Sequence, residues 1–177
     1  MFDFLRILIQ FFDKYNIPYM LSGSMAMSTY TGPRYTRDFD FVVHLKTSDI
    51  SLLRDFFNEG YYCDEDSMAD AIKRKGVFNI IDHKSNYKAD FIILRDDEFE
   101  LVKFNRRLPV DFLDFKVSII SAEDLLLSKL VWVQNLRSAL QEEDILQLSK
   151  LEHLDRTYIS HWINSLKLNT FGLLKND

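Results

Sequence analysis

Thr36-Arg37-Asp38-Phe39-Asp40-Phe41-Val42-Val43 alternates acid with bulk and then turns wholly apolar. A period of two is the mark of a β-strand with one buried face. On such a strand Asp38 and Asp40 project to one side while Phe39, Phe41 and Val43 project to the other, so the two carboxylates converge. With a rise of about 3.3 Å per residue their Cα atoms stand roughly 6.6 Å apart, near enough for both to reach the same one or two metal ions. Two like charges on one face repel and require a cation between them. Donors that are all oxygen select a hard ion, so the expected cofactor is Mg²⁺ or Mn²⁺.

Working outward, Tyr19-Met20-Leu21 reads as a short strand that runs into Ser22-Gly23-Ser24, and Met25 to Tyr30 reads as a short helix ending near Gly32-Pro33. A Gly-Ser turn between strand and helix presents free backbone N–H groups and the positive end of a helix dipole to an anion such as a triphosphate. Gly23 and Ser24 are therefore candidate phosphate ligands. Downstream, Lys88-Ala89-Asp90-Phe91-Ile92-Ile93-Leu94 sets one acid at the mouth of an otherwise apolar strand, where a carboxylate needs a partner. Asp90 is the candidate third metal ligand. Arg34 and Arg37 flank the acidic strand; they suit bidentate phosphate clamping, and equally the offsetting of local negative charge.

The remaining chain predicts a helix over Phe2 to Phe12, stopped by Asn16-Ile17-Pro18, a helix from about Ser48 to Asn58 and another over Ser67 to Arg74. Val77 to Ile81 and Tyr87 to Leu94 read as neighbouring strands joined by the polar turn 82–86, with one further strand over Val110 to Ile120. From Ser121 the character changes. Ser121-Ala122-Glu123-Asp124 is a capping-box pattern, and helices are expected over 122–134, 139–150 and 155–167. The fold class is α+β, a small mixed or antiparallel sheet flanked by helices. Residues 1–120 form the sheet domain, and 121–177 form a helical region packed on the same core.

Composition narrows the classes. The chain has 177 residues, 47% of them apolar, and a formal charge of −5, which excludes a disordered chain and argues against a general nucleic-acid coat. Five Gly and three Pro exclude a collagen-like one. One cysteine, Cys63, forms no intramolecular disulfide and suits a reducing cytoplasm, and it reads as an inert thiol. No apolar run approaches the roughly 20 residues of a membrane span, and Asp3 and Arg6 interrupt the apolar start, so it reads as a helix rather than a signal peptide. His44, His83, His153 and His161 lack ligand spacing, which disfavours zinc. Two charged residues lie on apolar helical stripes: Lys129 with Leu125 and Val133, and Asp144 with Leu140 and Leu148. Lys129 either meets an anionic ligand, snorkels to solvent or pairs with a core carboxylate such as Asp144.

Gly23-Ser24, Asp38-Phe39-Asp40-Phe41 and Asp90, in that order, resemble the signature of the nucleotidyltransferase superfamily of DNA polymerase beta type. Arg34-Tyr35-Thr36-Arg37-Asp38-Phe39-Asp40 is similar to the Arg-x-Thr-x-Asp-x-Asp version carried by small bacterial AbiEii-type toxin transferases, and Ser121 to Leu130 and Asp144 match their later helices. The resemblance covers about residues 17 to 150. It implies transfer of a nucleoside monophosphate from an NTP to an acceptor hydroxyl with release of pyrophosphate. Asp38, Asp40 and Asp90 would be both metal ligands and catalytic, Gly23, Ser24, Arg34 and Lys129 would bind phosphates, and Asp144 would lie near the acceptor. The acceptor stays open among tRNA, a protein side chain and a small hydroxyl compound, and a partner protein encoded nearby fits a toxin–antitoxin pair. The alternative is a non-catalytic nucleotide-binding or regulatory protein of the same fold; a metal-dependent nuclease is a remoter one, disfavoured by the Gly-Ser turn.

Overall fold

The computed structural model describes residues 1–112 and 114–174. Seven strands form one mixed sheet: β1 (Tyr19–Ser22), β2 (Asp38–Val43), β3 (Tyr61–Tyr62), β4 (Val77–Asp82), β5 (Lys88–Ile93), β6 (Leu108–Phe112) and β7 (Phe115–Ile119). Their spatial order is β3-β4-β5-β2-β1-β7-β6. The pairs β1–β2, β3–β4, β4–β5 and β6–β7 are antiparallel, and β2–β5 and β1–β7 are parallel. Among the described residues eight α-helices are interspersed: α1 (Phe2–Tyr15), α2 (Gly23–Thr31), α3 (Ile50–Phe56), α4 (Glu65–Arg74), α5 (Glu98–Asn105), α6 (Ala122–Asn135), α7 (Ala139–Ser149) and α8 (Arg156–Ser165). Among the described residues no helix is long and apolar enough to cross a membrane.

The chain divides into two compact units, one of Met1–Ala26 with Arg34–Ile120, the other of Met27–Pro33 with the chain from Ser121 onward. In the first, the odd-numbered side chains of β2 do what their bulk dictates. Phe39, Phe41 and Val43 are fully buried, and α1 supplies the aromatic layer that covers them. The Phe12 ring lies 4.6 Å from that of Tyr19, 5.2 Å from Phe41 and 5.5 Å from Phe91, while Phe4 meets Phe39 at 6.0 Å. Each such buried ring contributes about 1.5–3 kcal/mol by removal from water. With one face of the sheet sealed by α1, the acids of β2 are left on the other. In the second unit α7 and α8 both pack on α6, whose Leu126, Leu127, Leu130 and Val133 are buried.

Three departures from the sequence expectations have physical causes. Val110 to Ile120 is not one strand but the heart of a hairpin, β6 and β7, paired from Leu108↔Ile119 to Phe112↔Phe115. The reversal carries no Gly, Pro or Asn, and only Asp114 and a one-residue slip of the alternation between Phe112 and Phe115 mark it in the sequence. The helix α5 was missed because its inward face holds Glu100 and Lys103, ion-paired at 2.7 Å and both buried, where a helical stripe normally shows apolar residues. Its start is nonetheless encoded, since Asp97 accepts a hydrogen bond from the Glu100 N–H at 3.1 Å. The strand β3 has two residues, too few to show a period.

Candidate active site

Strand register assembles the acids. In the parallel pair β2–β5, Asp38 lies opposite Lys88 and Asp40 opposite Asp90. Register partners share a face, and adjacent strands lie about 4.8 Å apart. Asp38, Asp40 and Asp90 therefore occupy one patch of the sheet, drawn from two strands. The row through Asp40 continues on both sides, to Ser22 on β1 and Asn79 on β4. Four polar residues thus cross four strands in line, on the side away from the aromatic layer.

A cation already stands among them. Lys88 Nζ lies 2.9 Å from Asp90 Oδ2 and 3.9 Å from Asp38 Oδ1. The hydrogen bond to Asp90, with the charges of Asp90, Asp38 and Asp40, holds this ammonium above the ordinary lysine range against the opposing effect of burial. Asp38 is 53% exposed and Asp90 21%, so the patch faces solvent at one end and is sheltered at the other. The cation demanded by the paired acids is thus met by Lys88, which sequence reasoning passed over. The signal was present in Lys88-Ala89-Asp90, since positions two apart on a strand share a face.

The Gly-Ser turn closes over the same acids. α2 begins at Gly23, directly after Ser22, with no intervening loop. Gly23 has φ +62°, and a Cβ built on it would stand 1.8 Å from Asp40 Oδ2 and 2.6 Å from Asp40 Cγ. The Asp40 carboxylate therefore occupies the space that any side chain at position 23 would need. The glycine is required by a close approach as well as by its left-handed backbone. Ser24 follows in the first turn of α2, where backbone N–H groups lack intrahelical partners. Upstream, Thr36 Oγ1 accepts from the Asp38 N–H at 3.2 Å and fixes the entry to β2. Arg34 is half-buried in that approach, whereas Arg37 points its Nε at Tyr35 Oη, 2.7 Å away.

Oxygen-only donors on one face, with an ammonium between two of them, form a donor set that suits a hard divalent cation. Among the described residues no group of three or more His, Cys, Asp or Glu side chains stands close enough to hold a metal ion in its present rotamers.

Lys129 and Asp144 are brought together in the second unit. Lys129 Nζ donates to Asp144 Oδ2 at 2.7 Å and to Gln141 Oε1 at 3.2 Å, with both charged side chains more than nine-tenths buried. Of the three readings of Lys129 left open by the sequence, the pairing with Asp144 is the one present. Beside it, Asp124 is fully buried and accepts from Ser121 Oγ and Tyr158 Oη, each at 2.6 Å. Burial, together with the charges of Glu123 and Asp124, keeps the Tyr30 hydroxyl protonated. Burial, with the charges of Glu65 and Asp64, pushes the Cys63 thiol up to about 11.

No protein-family model matches the chain, and no curated protein is a significant match. Solved structures do match. The antibiotic-resistance factor ANT(2'')-Ia superposes with a TM-score of 0.59 at 11% identity, over 92% of this chain and 89% of that one. The lincosamide antibiotic adenylyltransferase LnuA, solved with lincomycin bound, gives 0.56 at 15% identity, over 82% and 94%. A nucleotidyltransferase-like protein from Paracoccidioides brasiliensis gives 0.55 at 17%, over 90% and 84%. The fold is that of the nucleotidyltransferases. This agrees with the sheet and flanking helices expected from the sequence. At these identities the likeness speaks for the nucleotidyltransferase fold alone, and it does not extend to the AbiEii-type branch.

Proposed function

We propose that the chain transfers a nucleoside monophosphate from an NTP to an acceptor hydroxyl. The observation that carries this reading is the register Asp40↔Asp90 between parallel strands, with Asp38 one step along β2 and the Gly23 backbone against Asp40. Asp38, Asp40 and Asp90 would hold a Mg²⁺ or Mn²⁺ ion, which when bound would supply neutralisation of the negative charge on the triphosphate and the reacting oxygens. In the reaction the acceptor oxygen bonds to the α-phosphorus, the bond from that phosphorus to the β-bridging oxygen breaks, and pyrophosphate departs. Asp90, the more sheltered acid, takes the hydroxyl proton, while the backbone N–H groups of Gly23 and Ser24 and the guanidinium of Arg34 seat the departing phosphates.

One observation favours a second reading, a nucleotide-binding protein without catalysis: Lys88 neutralises the acids where a metal is needed. A single experiment separates the two. The chain is incubated with each α-labelled NTP, Mg²⁺ and three acceptor pools: tRNA, protein and hydroxyl-bearing antibiotics. Lincomycin joins the last pool because LnuA was solved with it bound. Transferase activity predicts label on one pool with stoichiometric pyrophosphate, lost at least about a thousandfold in Asp38→Ala, Asp40→Ala and Asp90→Ala. Nucleotide binding with no label moved in any pool would select the non-catalytic reading.

A further inference from the structure

We propose that Lys88 is the built-in counter-ion of the acidic face, and that a divalent cation reaches Asp38 and Asp90 by displacing it. The inference rests on the metal-dependent reading above. Backbone pairing fixes where Lys88 starts. As the register partner of Asp38 and the residue two before Asp90, it projects from the acid face whatever its rotamer. The ammonium then touches carboxylates from both strands, at 2.9 Å and 3.9 Å. Its side chain is 35% exposed, and its flexible four-carbon stem lets the head leave for water without disturbing the buried aromatic layer. Three carboxylates against one ammonium leave the face net negative, so it still attracts a dication. The lysine offsets the repulsion among the acids in the absence of metal, and it competes with the ion that would use them.

The test is direct titration of Mn²⁺ without nucleotide, read by the paramagnetic resonance signal of the free ion, on the full chain and on Lys88→Met, Lys88→Gln, Lys88→Arg and Asp90→Ala. Removing one positive charge at ion-pair distance is expected to tighten Mn²⁺ binding at least about tenfold in Lys88→Met and Lys88→Gln. Lys88→Arg is expected to bind no tighter than wild type, and Asp90→Ala more weakly. Melting temperatures give a second readout. Without metal, Lys88→Met melts below wild type because the acids repel one another, and saturating Mn²⁺ closes that gap, which a purely packing role would leave open. Mn²⁺ affinity unchanged or weakened in both neutral variants overturns the role of Lys88 while leaving the metal site standing. Absence of Mn²⁺ binding in wild type and neutral variants alike, or undiminished binding by Asp90→Ala, removes the metal reading and this inference with it.

Discussion

Single residues decide whether the site exists at all. Gly23 is the clearest case, because its backbone is left-handed and a Cβ there would stand 1.8 Å from Asp40 Oδ2. Gly23→Ala therefore forces either the turn or the carboxylate to move. The expected outcome is a loss of about 1–3 kcal/mol in urea unfolding, with transfer activity reduced more steeply than stability. The buried pair Lys129–Asp144 makes a different prediction. Truncating one partner strands the other charge out of water, so Lys129→Ala or Asp144→Ala should each cost about 3–5 kcal/mol, while the double replacement Lys129→Met with Asp144→Leu should recover most of it. Urea midpoints for the four-member cycle check this. Recovery of stability without recovery of transfer would show that the pair also serves the chemistry, the role the resemblance implied for it.

At the scale of elements, caps and register carry the information. Ser121 caps α6 by accepting the Asp124 N–H at 3.2 Å, and its hydroxyl donates in turn to the Asp124 carboxylate. Ser121→Ala removes both contacts and leaves a fully buried acid with fewer donors. A loss of about 1–2 kcal/mol is expected, visible as a lower urea midpoint with unchanged slope. This cap was legible as Ser-x-x-Asp, and the same local logic at Asp97 marks the start of α5. Propensity and spacing fix such starts because the groups involved lie within a single turn of one another. The hidden face of α5 was not legible, since an internal Glu100–Lys103 pair mimics the pattern of a solvated surface. Nor was the β6–β7 reversal, whose turn carries no Gly, Pro or Asn and only Asp114 as a cue.

At the scale of the whole molecule, a ligand that binds the folded state alone must raise its stability by mass action. Mg²⁺ with the preferred NTP at about a hundred times its dissociation constant should add about 2.7 kcal/mol to the unfolding free energy, as a concentration-dependent rise in melting temperature. Chelation of the cation should abolish that rise, and Asp40→Ala should show none. The sequence by itself determined the alternation that turns Asp38 and Asp40 away from Phe39 and Phe41, the glycine that opens α2, and the capped starts of the helices it predicted, because each depends on neighbours a few bonds away. Tertiary structure alone decided that β5 lies parallel to β2 with Asp90 opposite Asp40, that Lys88 comes within 3.9 Å of Asp38, and that Lys129 meets Asp144. Those are pairings between segments distant along the chain. Their partners are selected by which apolar faces are buried within each unit, a choice no local pattern contains.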